Sequence, residues 1–110
     1  MVTIKKGDAY PVPVVVKVNG QVIDDGTIYA VELVELCLQD LIKEWHADGS
    51  GDVTYENGVF YFPMSQSESF DLRAGKIKMD GRVKTINGWV QGSVEMDSII
   101  VAPAISRKEL

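Results

Sequence analysis

Few residues in this chain of 110 have side chains suited to chemistry. His46 is its one histidine and Cys37 its one cysteine. An imidazole can act as a general base near neutral pH, but it needs an orienting partner and a proton to take. Beside Trp45 at the end of an extended segment, His46 reads instead as a rim or partly buried structural residue. Cys37 sits between Leu36 and Leu38 with no adjoining Lys, Arg or His to favour a thiolate, so it reads as a small buried apolar side chain. A lone cysteine also excludes an internal disulfide and a cysteine-based zinc site. Ser65, Ser67 and Ser69 lack the glycine-flanked elbow of a hydrolase nucleophile. Asp48-Gly49-Ser50-Gly51-Asp52 brings two carboxylates together, yet it lacks the alternating ligands and closing Glu of a calcium loop. It also lacks the lysine and following helix of a phosphate loop, and reads as a plain connecting loop. The expectation is a protein with no catalytic residues, no cofactor and no metal.

Charge is the stronger signal. Eleven Lys and Arg stand against sixteen Asp and Glu, a formal net charge of -5, which argues against a partner whose affinity depends on phosphate neutralisation. Nucleic acid is therefore not expected. Within this acidic chain Lys76, Lys78, Arg82 and Lys84 recur at alternate positions, with Ile86 and Trp89 near the end of the run. Such a stripe is either a solvated outer face or a surface for an acidic partner.

The elements that would carry these residues read as strands. Val12, Val14, Val16 and Val18 alternate with Pro13, Val15 and Lys17, and this density of β-branched residues favours an extended chain, apolar on most of both faces. Pro11 and Pro13 lack backbone donors, which places the start of this strand at a sheet edge. Asn19-Gly20 then suits a two-residue hairpin, and Asn57-Gly58 marks a further turn before the strand 59–62 that Pro63 ends. Asp24-Asp25-Gly26 marks another turn.

The segment 28–42 fits either a helical stripe through Val31, Val34, Leu38, Leu41 and Ile42 or an alternating strand. The surrounding turns, and a Glu35 interruption of the kind edge strands carry, favour strand. Ser65 and Glu68 have the spacing of a capping box and predict a short helical turn within 65–72. From Gly75 the polar set 76, 78, 80, 82 and 84 alternates strictly with Ile77, Met79, Gly81, Val83 and Thr85. Folding back at Asn87-Gly88 would set Thr85 opposite Val90, Val83 opposite Gly92 and Met79 opposite Met96. Lys84 would then face Gln91, and Arg82 would face Ser93, with inner and outer sets in phase. A last strand covers about 98–102.

The fold expected is therefore all-β, a single domain over 1–110 forming an immunoglobulin-like β-sandwich of about seven to nine short strands. Candidate interaction residues are Val12, Val14 and Val16 on the first apolar strand, with Lys76, Lys78, Arg82, Lys84 and Trp89. The amino terminus shows no secretory pattern, and the longest apolar run is too short to cross a bilayer, so no membrane association is expected.

The order of several motifs adds a resemblance. Lys6-Gly7-Asp8 precedes a strand, and Phe60-x-Phe62-Pro63-Met64-Ser65-Gln66-Ser67-Glu68-Ser69-Phe70 leads into a helical turn. Arg82-Val83-Lys84 is followed by Asn87-Gly88, and the chain closes on Ile105-Ser106-Arg107-Lys108-Glu109-Leu110. In this order the chain resembles the amino-terminal domain of the phage upper baseplate protein and related tailed-phage and prophage proteins. Met64-Ser65 and Ser67-Glu68-Ser69 stand where Leu-Thr and Glu-Glu-Thr are more usual, a change that leaves a capping residue in place. The helical stalk and host-binding domain of a receptor-binding adaptor have no counterpart in the match. The resemblance implies a non-enzymatic virion structural protein in a tail, baseplate or head appendage, present in the host bacterial cytoplasm before assembly. Its partners would be other virion proteins, with homo-oligomers among the options. The alternative, from a different class, is a stand-alone carbohydrate-binding module using exposed Trp45, Tyr55, Tyr61 and Trp89 as a stacking platform.

Overall fold

The computed structural model describes residues 2–91, 94–95, 99–105 and 108–110. The chain begins with β1 (Val2–Lys5), β2 (Val12–Val14), β3 (Lys17–Val18) and β4 (Gln21–Val22). A 3-10 turn at Ile28–Ala30 then leads into β5 (Val31–Leu38) and β6 (Leu41–His46). After β7 (Thr54–Glu56) and β8 (Val59–Phe62) comes the one helix among the described residues, α1 (Gln66–Phe70). It is followed by β9 (Gly75–Ile77), β10 (Met79–Thr85), β11 (Val90–Gln91), β12 (Val94–Glu95) and β13 (Ile99–Ala102). The fold is an all-β sandwich. The thirteen strands among the described residues exceed the expected seven to nine: the alternating runs 12–18 and 75–85 each divide between sheets, Val2–Lys5 adds a strand, and the segment from Val31 folds back into the pair β5 and β6.

A four-stranded sheet ordered β11-β10-β5-β6 is the largest layer, and a sheet ordered β2-β8-β7 belongs to the same core. Val34, Leu36 and Leu38 of β5 are buried with Phe60 and Phe62 of β8 and Val12 and Val14 of β2. Phe60 makes the aromatic contacts of this core. Its ring lies 5.9 Å from Trp45 of β6, edge to face, and 5.0 Å from Tyr55 of β7. A third sheet, β1-β13-β9, contributes Ile4, Ile77, Ile99 and Val101, and a small ladder β12-β3-β4 closes one end.

Most of the turn chemistry holds. Asn19 and Gly20 both take positive φ (53° and 78°), and Val18 pairs with Gln21, which makes a two-residue primed turn. Asn57 and Gly58 do the same, at 50° and 83°, with Glu56 opposite Val59. β2 is an edge strand, as its prolines require. The segment 28–42 is extended from Val31 and reverses at residues 39–40, where Leu38 pairs with Leu41.

Three expectations are corrected. β5 is an internal strand between β10 and β6, so Glu35 does not mark an edge; it faces outward, where Arg82 of the neighbouring strand reaches it at 3.2 Å. Cys37 shares that outer face and is half-buried, rather than belonging to the core. The Asn87-Gly88 hairpin is offset by one residue: Lys84, not Thr85, lies opposite Val90, and Val83 lies opposite Gln91, not Gly92. The expected placements of Ser93 and Met96 fall outside the described residues.

The capping box of α1 is complete. Ser65 Oγ accepts from the Glu68 N–H at 3.1 Å, and Glu68 Oε1 accepts from the Ser65 N–H at 2.9 Å. Lys43, on the inner side of β6, donates to the same Oε1 at 2.9 Å and to the Pro63 carbonyl at 2.6 Å. Burial alone would raise the Glu68 carboxyl, but the Ser65 N–H and the Lys43 ammonium outweigh it and hold the group below its ordinary 4.5. A carboxyl lowered in the folded state adds stability above that ordinary value, and the contribution disappears as pH falls through the folded one. Glu68→Gln is therefore expected to flatten the acid side of the stability profile below about pH 4.5. Urea titrations between pH 3 and 7 would test this, and parallel profiles for the two proteins would refute it.

Candidate protein-interaction surface

The exposed apolar surface gathers where the β10–β11 hairpin meets the 3-10 turn. The turn is prepared by Asp24: its carbonyl accepts from the Thr27 N–H at 3.0 Å, and its carboxylate accepts from the Gly26 N–H at 3.0 Å. The tight winding that follows projects Tyr29 into solvent. Ala30 O then accepts from the Ile86 N–H at 3.1 Å, which docks the hairpin tip against the turn.

The tip itself is a three-residue loop. Thr85 N–H donates to Trp89 O and Gly88 N–H donates to Thr85 O, both at 2.9 Å. Gly88 has φ of 90° while Asn87 is not at positive φ, which is a turn followed by a glycine bulge rather than a primed two-residue turn. Thr85 Oγ1 also donates to Asn87 Oδ1. This geometry produces the one-residue offset and turns Val90 outward beside Lys84. Tyr29 on the 3-10 turn, Ile86 and Trp89 at the hairpin tip and Val90 on β11 are 77%, 66%, 69% and 60% exposed; Trp89 lies over Thr85 and Gln91, whereas Val90 stands beside Lys84 on the other face of the strand.

Beside the tip is a cleft of about 210 Å³ lined by Val18, Val22, Ile23, Val31 and Val83, with Gln21, Thr27, Thr85 and Gln91 around it. A second depression of about 450 Å³ at Trp89, lined also by Ala30, Thr85, Ile86, Asn87 and Gln91, shares Thr85 and Gln91 with that cleft. Among the described residues, no Asp, Glu, Lys or Arg lines either one.

Of the expected interaction residues, Trp89 belongs to this surface. Val12, Val14 and Val16 do not: at 1%, 5% and 0% exposure they fill the core, and it is Pro13 and Val15 that face out. The basic run is exposed but divided. Lys76 pairs opposite Ile100 in the β1-β13-β9 sheet, Lys78 lies at the crossing between sheets, and Arg82 and Lys84 belong to the four-stranded sheet. Arg82 pairs with Glu35, and Lys84 approaches Glu32 at 3.8 Å, so half the run has acidic neighbours within the chain.

Tyr29 and Val90 escaped the sequence reading. Val90 was hidden by the register that turned it inward, and Tyr29 by its place within an apolar segment.

The remaining chemistry-bearing residues make contacts within the chain. Asp48 Oδ1 accepts from Ser50 Oγ at 2.6 Å and from the Ser50 N–H at 2.9 Å, hydrogen bonds that lower its pKa. Asp52 accepts from the Glu44 N–H at 3.2 Å, so Asp48 braces the loop from within and Asp52 closes it on β6. His46 Nε2 lies 3.3 Å from Glu44 Oε1. Burial raises the Cys37 thiol pKa, and the carboxylates of Asp80, Glu35 and Asp40 raise it further, which disfavours the reactive thiolate. No cluster of three or more potential metal ligands occurs among the described residues.

Nor do the aromatic rings make one platform. Trp45 and Tyr55 pack against the core with their planes at 60°, Tyr61 is half-buried, and Trp89 stands apart on the hairpin.

The chain is an all-β sandwich whose β10–β11 hairpin ends in an exposed apolar tip of Ile86 and Trp89. No family model, curated protein or solved structure matches the chain. No helix among the described residues is long and apolar enough to cross a membrane.

Proposed function

We propose that this chain is a non-catalytic docking module of a phage or prophage virion, joining other virion proteins in a tail, baseplate or head appendage. The observation that carries the docking role is the exposed apolar tip of the β10–β11 hairpin, Ile86 and Trp89, held against the 3-10 turn that presents Tyr29. Large exposed apolar patches on soluble domains mark interaction sites, and aromatic anchors dominate the energetics of such contacts.

The virion assignment rests on the motif order, and two of the resembling segments fold against each other. Ser69, the buried polar residue of α1, accepts from the Gly7 N–H at 2.9 Å and donates to Asp8 O at 2.7 Å. Gln66 Nε2 donates to Gly7 O at 3.0 Å, so 6–8 and 60–70 form one clasped unit.

Mass spectrometry of gradient-purified particles, induced from a strain carrying the gene, tests the assignment. The chain is expected at a fixed copy number relative to the other structural proteins. Intact particles lacking it would overturn the virion role.

A further inference from the structure

We propose that the outer face of the β1-β13-β9 sheet binds a carboxylate-rich segment of another protein through Lys5, Lys76 and Lys78. This face belongs to a different sheet from the hairpin tip, and its partner is set by charge whether or not the chain joins a virion.

The register assembles the site from distant parts of the chain. Thr3 aligns with Ile100 and Ile100 with Lys76, so these three residues form one row across the sheet, and Lys5 and Ala102 belong to the next. Ile4, Ile77, Ile99 and Val101 are buried in the core, which sends Thr3, Lys5 and Lys76 to solvent. Lys78 lies two positions beyond Lys76, past buried Ile77, and extends the positive charge to the crossing between sheets. Strands ~4.8 Å apart with a rise of ~3.3 Å per residue place the Cα atoms of Lys5 and Lys76 roughly 12 Å apart. Half-buried Ile100 and Ala102 lie between them, an apolar strip with a cation on either side.

Charge selects the occupant. The chain carries a formal -5, yet β1, β13 and β9 contain no Asp or Glu, and their charged residues are lysines. On the principal sheet Arg82 and Lys84 have Glu35 and Glu32 beside them, whereas no carboxylate pairs with Lys5, Lys76 or Lys78 among the described residues. Asp8, just beyond β1, turns its carboxylate to the Lys5 backbone N–H at 2.9 Å. Lysines left uncompensated on one face attract carboxylates locally, while the negative charge of the whole chain opposes the extended phosphate field of a nucleic acid. The edge of β1 is already engaged: Tyr10 Oη donates to the Thr3 carbonyl at 3.4 Å, and Asp8 takes the Lys5 N–H. The partner is therefore received on the face and not by strand addition, and Ile100 favours a segment whose carboxylates flank an apolar residue.

Selection of a random peptide library on the immobilised full chain tests the proposal. It is expected to yield peptides that bind a Lys5→Glu/Lys76→Glu variant at least about tenfold more weakly, with Asp and Glu enriched around an apolar residue. They should be released near 1 M salt, where the screening length falls to ~3 Å, and should shift the amide resonances of residues 3–5, Lys76 and Ile100. Both substituted lysines are exposed, so the variant should keep the wild-type far-ultraviolet spectrum and melting temperature. Arg82→Glu/Lys84→Glu makes the same change of net charge on the principal sheet and should leave these peptides bound.

A selection with no peptides sensitive to Lys5→Glu/Lys76→Glu, or with equal sensitivity to the changes at 82 and 84, would overturn the proposal. Displacement of the peptides by oligothymidylate at equal charge would overturn it too, by making the ligand a polyphosphate. The selection uses no particles: its failure leaves the virion role standing, and a chain missing from particles leaves this surface standing.

Discussion

Phe60→Ala should lower the stability of the chain by about 3–5 kcal/mol, the largest effect expected of any single truncation here. Phe60 is fully buried and touches the rings of both Trp45 and Tyr55, so its loss removes apolar burial, leaves a cavity and deletes two aromatic contacts together. The cavity would lie between β8 and β6, strands of two different sheets that cannot close independently. Urea denaturation should show a lower midpoint with an unchanged slope. A loss under about 1 kcal/mol would mean that the two sheets repack around the gap and that the aromatic cluster does not hold them together.

The second large effect is expected at Gly51, in a loop whose composition suggests tolerance. A Cβ there would lie 2.2 Å from the Glu44 carbonyl oxygen and 2.8 Å from His46 Cδ2. The first obstacle is backbone and cannot rotate away. Gly51→Ala must therefore push the loop off β6, straining the Val53 N–H bond to Glu44 O (3.0 Å) and the Glu44 N–H bond to Asp52 (3.2 Å). A cost of about 1–3 kcal/mol is expected from overpacking of this kind. Gly88→Ala makes the comparison: a Cβ there meets nothing within 4 Å, and only its φ of 90° opposes the change. Thermal melts of the two variants should place Gly51→Ala lower; the opposite order would show that the 48–52 loop is not held against β6.

The contrast between local and non-local determinants explains what could be read from residues alone. Asn-Gly occurs three times and signals a turn each time, but the turn type was legible in only two. At 19–20 and 57–58 the dipeptide makes a primed turn, whereas at 87–88 the Ile86 N–H is held by Ala30, far away in sequence, and the reversal widens to three residues. That one-residue difference turns Val90 outward, a placement that no local pattern announces. The ambiguity of 28–42 has a similar source. β5 and β10 slip register between Lys84 and Thr85, which pair with Leu33 and Val31, and Glu32 is the extra residue of a bulge. The three-residue step from Val31 to Val34 imitates helical spacing, while Val34, Leu36 and Leu38 keep the strand period.

The alternation over 75–85 was read correctly, inside and outside, yet it runs unbroken through Lys78, where the chain leaves one sheet for another. Periodicity reports which way a side chain points and not which sheet it belongs to. The basic run consequently looked continuous and is not. The valines at 12, 14 and 16 show the same limit: their density gave the extended conformation, but Pro13 and Val15 rather than the valines of the pattern meet solvent.

The parallel pairing of β1 with β13 sets a clock on the molecule. Val2 aligns with Ile99 and Lys5 with Ala102, so β1 cannot join its sheet until nearly a hundred further residues have been made. At about 5–20 residues per second, Ile4 leaves the ribosome some 5–20 s before its strand partner exists. Contacts this distant in sequence also place folding toward the slow, millisecond-to-second end for a domain of this size. During that interval a newly made chain carries β1 unpaired, with Ile4 uncovered, and where many copies are made side by side, the spacing of ribosomes along the message governs how often two such strands meet.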